Sequence, residues 1–290
     1  MTHRSVKALH PALHDDIGDL TTRRPVPGQG IEQVDPFLFL NHHGPQIYPP
    51  HNQGLPFGPH PHRGFETVTF ILEGNLAHHD TGGHESVIDA GGVQWMTAGS
   101  GLIHAEGSPA SFKQSGGPLE ILQLWVNLPS RLKMTEPNYV GLQQPEIPAL
   151  TRDEGRVKVN LVSGEFEGET GPIPSLTGIF MATVEMEFDG RIALPAPAGH
   201  NVFFYVVRGK VKLGDTTAEH FHLVEFNDDG DDVKVEAETA AVILYGHAKP
   251  IGEPVYSYGP FVMNTRDEIE QAIRDYQAGK FEGTGIHLGS

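Results

Sequence analysis

A chain of 290 residues with 37 Asp and Glu against 20 Lys and Arg carries a formal net charge of −17. Such a surface repels phosphate backbones and argues against direct nucleic-acid binding, which rests on Lys and Arg displacing counterions. Cysteine is absent, so there is no disulfide scaffold and no thiolate site, and any metal must sit on His, Asp and Glu.

At this length two packed units are expected. With 35 Gly and 23 Pro the balance suits many short strands better than long helices. The opening stretch MTHRSVKALHPALHDD has no apolar core of a signal peptide, and no run of about 18 apolar residues follows anywhere. The expected location is cytoplasmic, with no membrane contact.

Residues 30–128 read as strands between glycine turns: FETVTFILEG, SVIDAGGVQWMTAGSGLIHAEG and LEILQLWVNLP, where a period of two dominates. Residues 129–175 are punctuated by Pro129, Pro137, Pro145, Pro148, Pro172 and Pro174 around the short apolar segment VKVNLVSG, which suits a connection. From Leu176 strands resume in IFMATVEMEF, NVFFYVVRGKVKLG, HFHLVEF and AAVILYG. The expected division is 1–130, a connection over 131–175, and 176–290. One long helix is expected at TRDEIEQAIRDYQAGKFEG, within the last division. Thr265 caps it, Glu268 reaches back to the cap amide, and Gly279 ends it. Its stripe Ile269, Ala272, Ile273 and Tyr276 must lie on something apolar.

The two halves align. Setting GFETVTFILEGNL (64–76) on GHNVFFYVVRGKV (199–211) matches glycine to glycine at Gly64, Gly199, Gly74 and Gly209, the mark of an internal duplication. In that register His60 falls on Pro195 and His62 on Pro197. The second copy keeps the strand and loses both histidines.

Nine of the 17 histidines lie between residues 42 and 104, so proximity alone cannot choose ligands among them. Spacing can. Two histidines at i and i+2 on an extended segment point to one side, and imidazole suits divalent iron, copper, nickel, manganese or zinc. His60-Pro61-His62 has that spacing, and Pro61 biases the segment towards extended geometry. An isolated H-x-H is more often a surface pair. His104 and Glu106, in GSGLIHAEG, repeat the spacing on a second strand-like segment. Side by side, the two would set His60, His62, His104 and Glu106 around one point. Glu66 stays open as a further ligand, a partner that fixes a histidine tautomer, or a fold-stabilising carboxylate. His42 and His43 are candidates for the mouth of the site. His78, His79 and His84, in AHHDTGGHES, suit a solvated hairpin tip, and His220 and His222 a structural role. Phe57, Phe65 and Trp95 could wall a cavity or simply fill the core.

These residues resemble the cupins, and more narrowly the pirins. The general cupin first motif, G-x5-H-x-H-x3/4-E-x6-G, is met by Gly54, His60, His62 and Glu66, with Gly74 one residue late. The second is met at Gly101 and His104, but Ala98-Gly99 stands where a proline is expected and no asparagine follows. Both departures resemble pirins, as do the stretches HPHRGFETVTFILEG, GGVQWMTAGSGLIHAEG, DPFLFLNHHGP and GPFVMNTRDEIEQA.

The resemblance implies an all-β bicupin, two tandem jelly-roll barrels with a C-terminal helix, and one divalent metal in the N-terminal barrel. Iron is the first expectation, and copper, nickel, manganese or zinc suit the same donors. The carried-over ligands are His60, His62, His104 and Glu106. The implied activity is that of a quercetin 2,3-dioxygenase: a flavonol-like substrate and O2, with Glu106 taking the 3-hydroxyl proton and ring cleavage releasing carbon monoxide and a depside. The alternative is a non-catalytic metal-binding regulator acting through a protein partner, for which an acidic surface suits a basic protein. A sugar-phosphate isomerase would need more cations near the site than Arg63.

Overall fold

The computed structural model describes residues 2–283. Its principal strands are Val6–Pro11 (β1), Phe37–Tyr48 (β2), Phe57–His62 (β3), Phe65–Glu73 (β4), Asn75–Asp80 (β5), Glu85–Asp89 (β6), Val93–Thr97 (β7), Leu102–Gly107 (β8), Gly117–Asn127 (β9) and Asn138–Leu142 (β10). The second half supplies Phe180–Met186 (β11), Arg191–Pro195 (β12), Asn201–Arg208 (β13), Lys210–Leu213 (β14), Thr216–Glu219 (β15), His222–Phe226 (β16), Asp232–Ala237 (β17) and Ala241–Ala248 (β18).

The fold is the expected bicupin. In the first barrel a four-stranded sheet runs β3-β8-β5-β6, beside a seven-stranded sheet that runs β10-β7-β4-β9-β2 and ends in Thr22–Val26 and Leu13–His14. The second barrel repeats the order, with β12-β17-β14-β15 beside β1-β16-β13-β18-β11, Val157–Ser163 and Ala149–Arg152. From β2 to β9, each strand has its counterpart nine strands on. The duplication read from glycines is therefore a duplication of topology. Gly74 (φ +82°) and Gly209 (φ +80°) occupy the same tight turn. A Cβ would come within 2.8 Å of the Pro118 carbonyl at the first and 2.1 Å of the Ala240 carbonyl at the second, so both positions require glycine.

The two compact units are not consecutive stretches of chain. One gathers Leu40–Gln144 with His14–Arg23 and everything described from Ile251; the other gathers Pro145–Pro250 with the residues up to Leu13 and Arg24–Phe39. The proline-rich stretch read as a connection thus supplies β10 to the first unit and Ala149–Arg152 and Val157–Ser163 to the second. The outer place that β10 takes beside β7 is taken in the second barrel by β1, from the start of the chain.

The helix forms as its sequence dictates, over Arg266–Gln277, with Thr265 and Glu268 making the full capping box and Gly279 at φ +73° after its end. It packs on the first unit, not on the barrel that precedes it in sequence. Ile269 and Ala272 are buried with Phe261, Met263 and Phe281. The Asp275 carboxylate accepts from Arg63 at 2.8 Å, which ties the helix to the residue after His62.

Candidate metal centre

β3 and β8 pair antiparallel, with His104 directly opposite His60 and Leu102 opposite His62. A period of two puts His60 and His62 on one face, and the pairing puts His104 on the same face. One ring nitrogen from each of the three lies within 4.8 Å of the others. The imidazole centroids are 4.3 to 4.9 Å apart. Among the described residues this is the one cluster of three side chains able to hold an ion.

The protonation states favour a cation. Burial, then the neighbouring His60, pushes the His62 imidazole down to about 3. Burial, then His62, His60 and His78, pushes His104 well below its usual range. Neutral rings offer lone pairs. Backbone carbonyls choose the tautomers: His60 Nδ1 lies 2.7 Å from the Gly58 oxygen and His62 Nδ1 3.2 Å from that of Pro260. Each Nδ1 therefore donates and leaves Nε2 free to ligate, the arrangement metal-bound histidines use. His104 is 1% exposed, and neither of its ring nitrogens has a hydrogen-bond partner. Leaving buried polar atoms unsatisfied costs about 1–3 kcal/mol each, and an ion bound to one of them removes that cost. The donor set fits a divalent transition metal.

Glu106 follows His104 at i+2, buried at 2% exposure, but the ladder to β3 shifts register between them. It is not in the three-histidine cluster. Thr69 Oγ1 donates to its Oε1 at 3.2 Å and Gln123 Nε2 to its Oε2 at 2.5 Å, so both oxygens are held as acceptors. Glu66 is elsewhere. Phe65 lies against His62, with ring centroids 5.0 Å apart, so alternation turns Glu66 to the opposite face of β4. There its Oε1 accepts from Thr97 at 2.6 Å, while burial raises its carboxyl.

Of the proposed walls, Phe65 faces the histidines. Trp95 does not, because it pairs across the ladder with Val68, on the Glu66 face. Its place is taken by Trp125, 5.4 Å from His62 and 4.5 Å from Phe65 between ring centroids. Phe57 packs against His43 at 5.2 Å.

His78 is not solvated. It is 1% exposed and lies 5.5 Å from His104 between ring centroids. Its Nε2 meets the buried Asp80 carboxylate at 2.9 Å, His84 approaches the same carboxylate at 3.1 Å, and Tyr139 stacks on its ring. Burial raises the Asp80 carboxyl, but the hydrogen bonds from His78 and the His84 amide outweigh it and hold the group below 3.8. His42 is fully buried on Glu120 at 2.8 Å, and His43 Nδ1 meets the Thr22 hydroxyl at 2.9 Å. Neither belongs to the cluster.

Comparison with known proteins agrees with this fold. The family model described as Pirin matches residues 19–126, and that described as Pirin C-terminal cupin domain matches residues 181–282. A Pseudomonas aeruginosa protein provisionally named a quercetin 2,3-dioxygenase is 38% identical over 278 residues, 93% of this chain and 94% of that protein. The crystal structure of a quercetin 2,3-dioxygenase from Acinetobacter baumannii superposes with a TM-score of 0.91 at 32% identity, covering 97% of this chain and 99% of that one. A bacterial pirin from Escherichia coli, crystallised in complex with nickel(II), shares the fold with a TM-score of 0.66 at 20% identity, over 84% of this chain and 99% of that one.

Proposed function

The chain belongs to the pirin family, and from that premise we propose that it is a metal-dependent dioxygenase that cleaves flavonols such as quercetin with molecular oxygen. The observation that carries the reading is the histidine triad, with His62 and His104 buried and both His104 nitrogens unpartnered, beside a carboxylate braced on both oxygens. Likeness to proteins named for this activity supports it.

The metal, when bound, would supply Lewis-acid and redox chemistry towards the flavonol 3-hydroxyl and O2. Iron is the first choice, and nickel is the ion held by the Escherichia coli pirin. His60 and His62 would hold it through Nε2, their rings fixed by the Gly58 and Pro260 carbonyls, and His104 would supply the third nitrogen. Glu106 is proposed as fourth ligand and as proton acceptor for the 3-hydroxyl. Thr69 and Gln123 hold its two oxygens by hydrogen bonds and orient the one that takes the proton. Phe65 and Trp125 set flat apolar faces beside the triad, which suits a planar aromatic substrate and excludes water.

The test is direct. Protein loaded in turn with iron, nickel, copper or manganese is mixed with quercetin under oxygen, and the loss of flavonol absorbance is followed with the release of carbon monoxide. Turnover with at least one metal is expected. No change with any of them refutes the dioxygenase and leaves metal-dependent binding of a partner.

A further inference from the structure

The second barrel has no counterparts of His60, His62 and His104, yet its corresponding end is not simply filled with apolar residues. Arg4 enters it. Only 7% of Arg4 is exposed, and its guanidinium meets five oxygens. Nε donates to the carbonyls of Ala196 and Gly230 at 3.2 Å each, Nη1 to that of His200 at 3.0 Å, and Nη2 to that of Pro197 at 2.8 Å and to Asp228 Oδ1 at 2.6 Å.

The glycine-anchored alignment identifies these acceptors. Ala196 stands for Pro61, Pro197 for His62 and His200 for Phe65. The ladders extend it: His104 lies opposite His60 in the first barrel, and Asp232 lies opposite Pro195 in the second. Asp232 therefore stands for His104, and it pairs with His3. Where one barrel brings three imidazoles together, the same end of the other presents four carbonyls and the Asp228 carboxylate to a guanidinium.

The delivering segment is built in. Arg4 N donates to Asp232 O at 2.8 Å, Asp231 N to Thr2 O at 2.9 Å, and Asn227 N to Ser5 O at 3.0 Å. Gly230 is needed for this approach, since a Cβ there would lie 2.4 Å from the Thr2 carbonyl. Deeper in the barrel, Tyr245 is fully buried and donates to the Pro195 carbonyl at 2.8 Å.

We propose that the second barrel carries a guanidinium-binding socket at the end equivalent to the metal site, and that Arg4 fills it in cis as a structural cation. The planar fork of donors accounts for the choice of arginine. A lysine ammonium has three donors on one atom and cannot span acceptors contributed by residues 196, 197, 200, 228 and 230. A buried guanidinium is tolerated only when its donors are satisfied. This socket offers acceptors to all three of its nitrogens, four of the five N–H groups.

The experiment is chemical rescue. Arg4→Ala is expected to lower the thermal unfolding midpoint by about 5 °C or more, and Arg4→Lys to remain low. Millimolar methylguanidinium should raise the Arg4→Ala midpoint towards that of the unmodified protein, which itself should not respond. Methylammonium at equal ionic strength should do nothing. If Arg4→Ala does not accumulate folded, its refolding yield in methylguanidinium against methylammonium gives the same reading. An unchanged midpoint in Arg4→Ala, full stability in Arg4→Lys, or equal effects of the two cations would overturn the proposal.

Discussion

Lys133 offers a quantitative test of how the metal-bearing unit is held together. Its side chain is 1% exposed, and its Nζ donates to the Gly64 carbonyl at 2.9 Å, to Asn127 Oδ1 at 2.7 Å and to the Val262 carbonyl at 3.0 Å. It thereby joins the turn after His62 to β9 and to the strand Phe261–Met263. Burial pushes its ammonium down from 10.5 to about 8, which corresponds to about 3 kcal/mol of charge-burial cost at neutral pH.

Lys133→Met removes that cost but leaves three buried acceptors unsatisfied, at about 2 kcal/mol each. The net loss expected at pH 7 is about 3 kcal/mol. The pH dependence has a definite sign. Between about 8 and 10.5 the unfolded chain binds more protons at this group than the folded one, so Lys133 adds stability as pH rises through that window and adds none below it. The gap between the parent and Lys133→Met should therefore widen by about 2–3 kcal/mol from pH 7 to pH 10. Urea unfolding read by tryptophan fluorescence isolates the relevant unit, because the chain's two tryptophans, Trp95 and Trp125, both lie within it. A loss below about 1 kcal/mol at pH 7, or a gap that narrows with pH, would refute the reasoning.

Elemental analysis should find His62→Ala and His104→Ala largely depleted of metal and His84→Ala fully loaded; a full complement in either of the first two would remove that residue from the ligand set. Glu106→Gln should lower flavonol turnover by about 100-fold or more. Gln123→Leu, which strips the donor from Glu106 Oε2, should lower it by about 10-fold. Equal kcat values for parent and variants at matched metal content would show that Glu106 moves no proton. Hydrogen bonds from Lys280 and then Arg63 hold the Asp275 carboxyl far below the usual carboxylate range. Its contribution is therefore present above about pH 4 and fades as the carboxylate is protonated in stronger acid. Asp275→Asn should raise amide exchange over Arg266–Gln277 at pH 7, and unchanged protection would show that the Arg63 tie does not hold the helix.

What the sequence disclosed about the site followed from period and spacing. Two i, i+2 pairs on extended segments brought three histidines together, because a strand's side-chain period is fixed by backbone geometry alone. The same rule could have recovered His78. On β5 it shares a face with Leu76 and Asp80, each buried, but the polar run AHHDTGGHES masked an alternation that continues into the hairpin. Trp125 and Gln123 were out of reach. Their roles depend on β9 pairing with β4, which sets Trp125 opposite Thr67 and Gln123 opposite Thr69, and no local pattern states which strands become neighbours. A polar Gln123 inside the apolar LEILQLWVNLP was the only trace. The exchange of terminal segments was invisible for the same reason: β1 and the helix display their own periodicity, not their distant partners.

The duplication gives a reason for that exchange. Each barrel presents the same two strand ends, and in each the exposed carbonyls and polar side chains there need a cation or a cover. The first barrel keeps imidazoles, and the loop that follows them is anchored from outside by Arg63 to Asp275 at 2.8 Å and to the Ser100 carbonyl at 2.7 Å. The second has Pro195 and Pro197 at the positions of His60 and His62, and the chain's first residues bring a guanidinium to four carbonyls and the Asp228 carboxylate there. Where the first barrel brings together three imidazoles suited to an ion taken from solution, the same end of the second barrel holds a guanidinium carried by the chain itself.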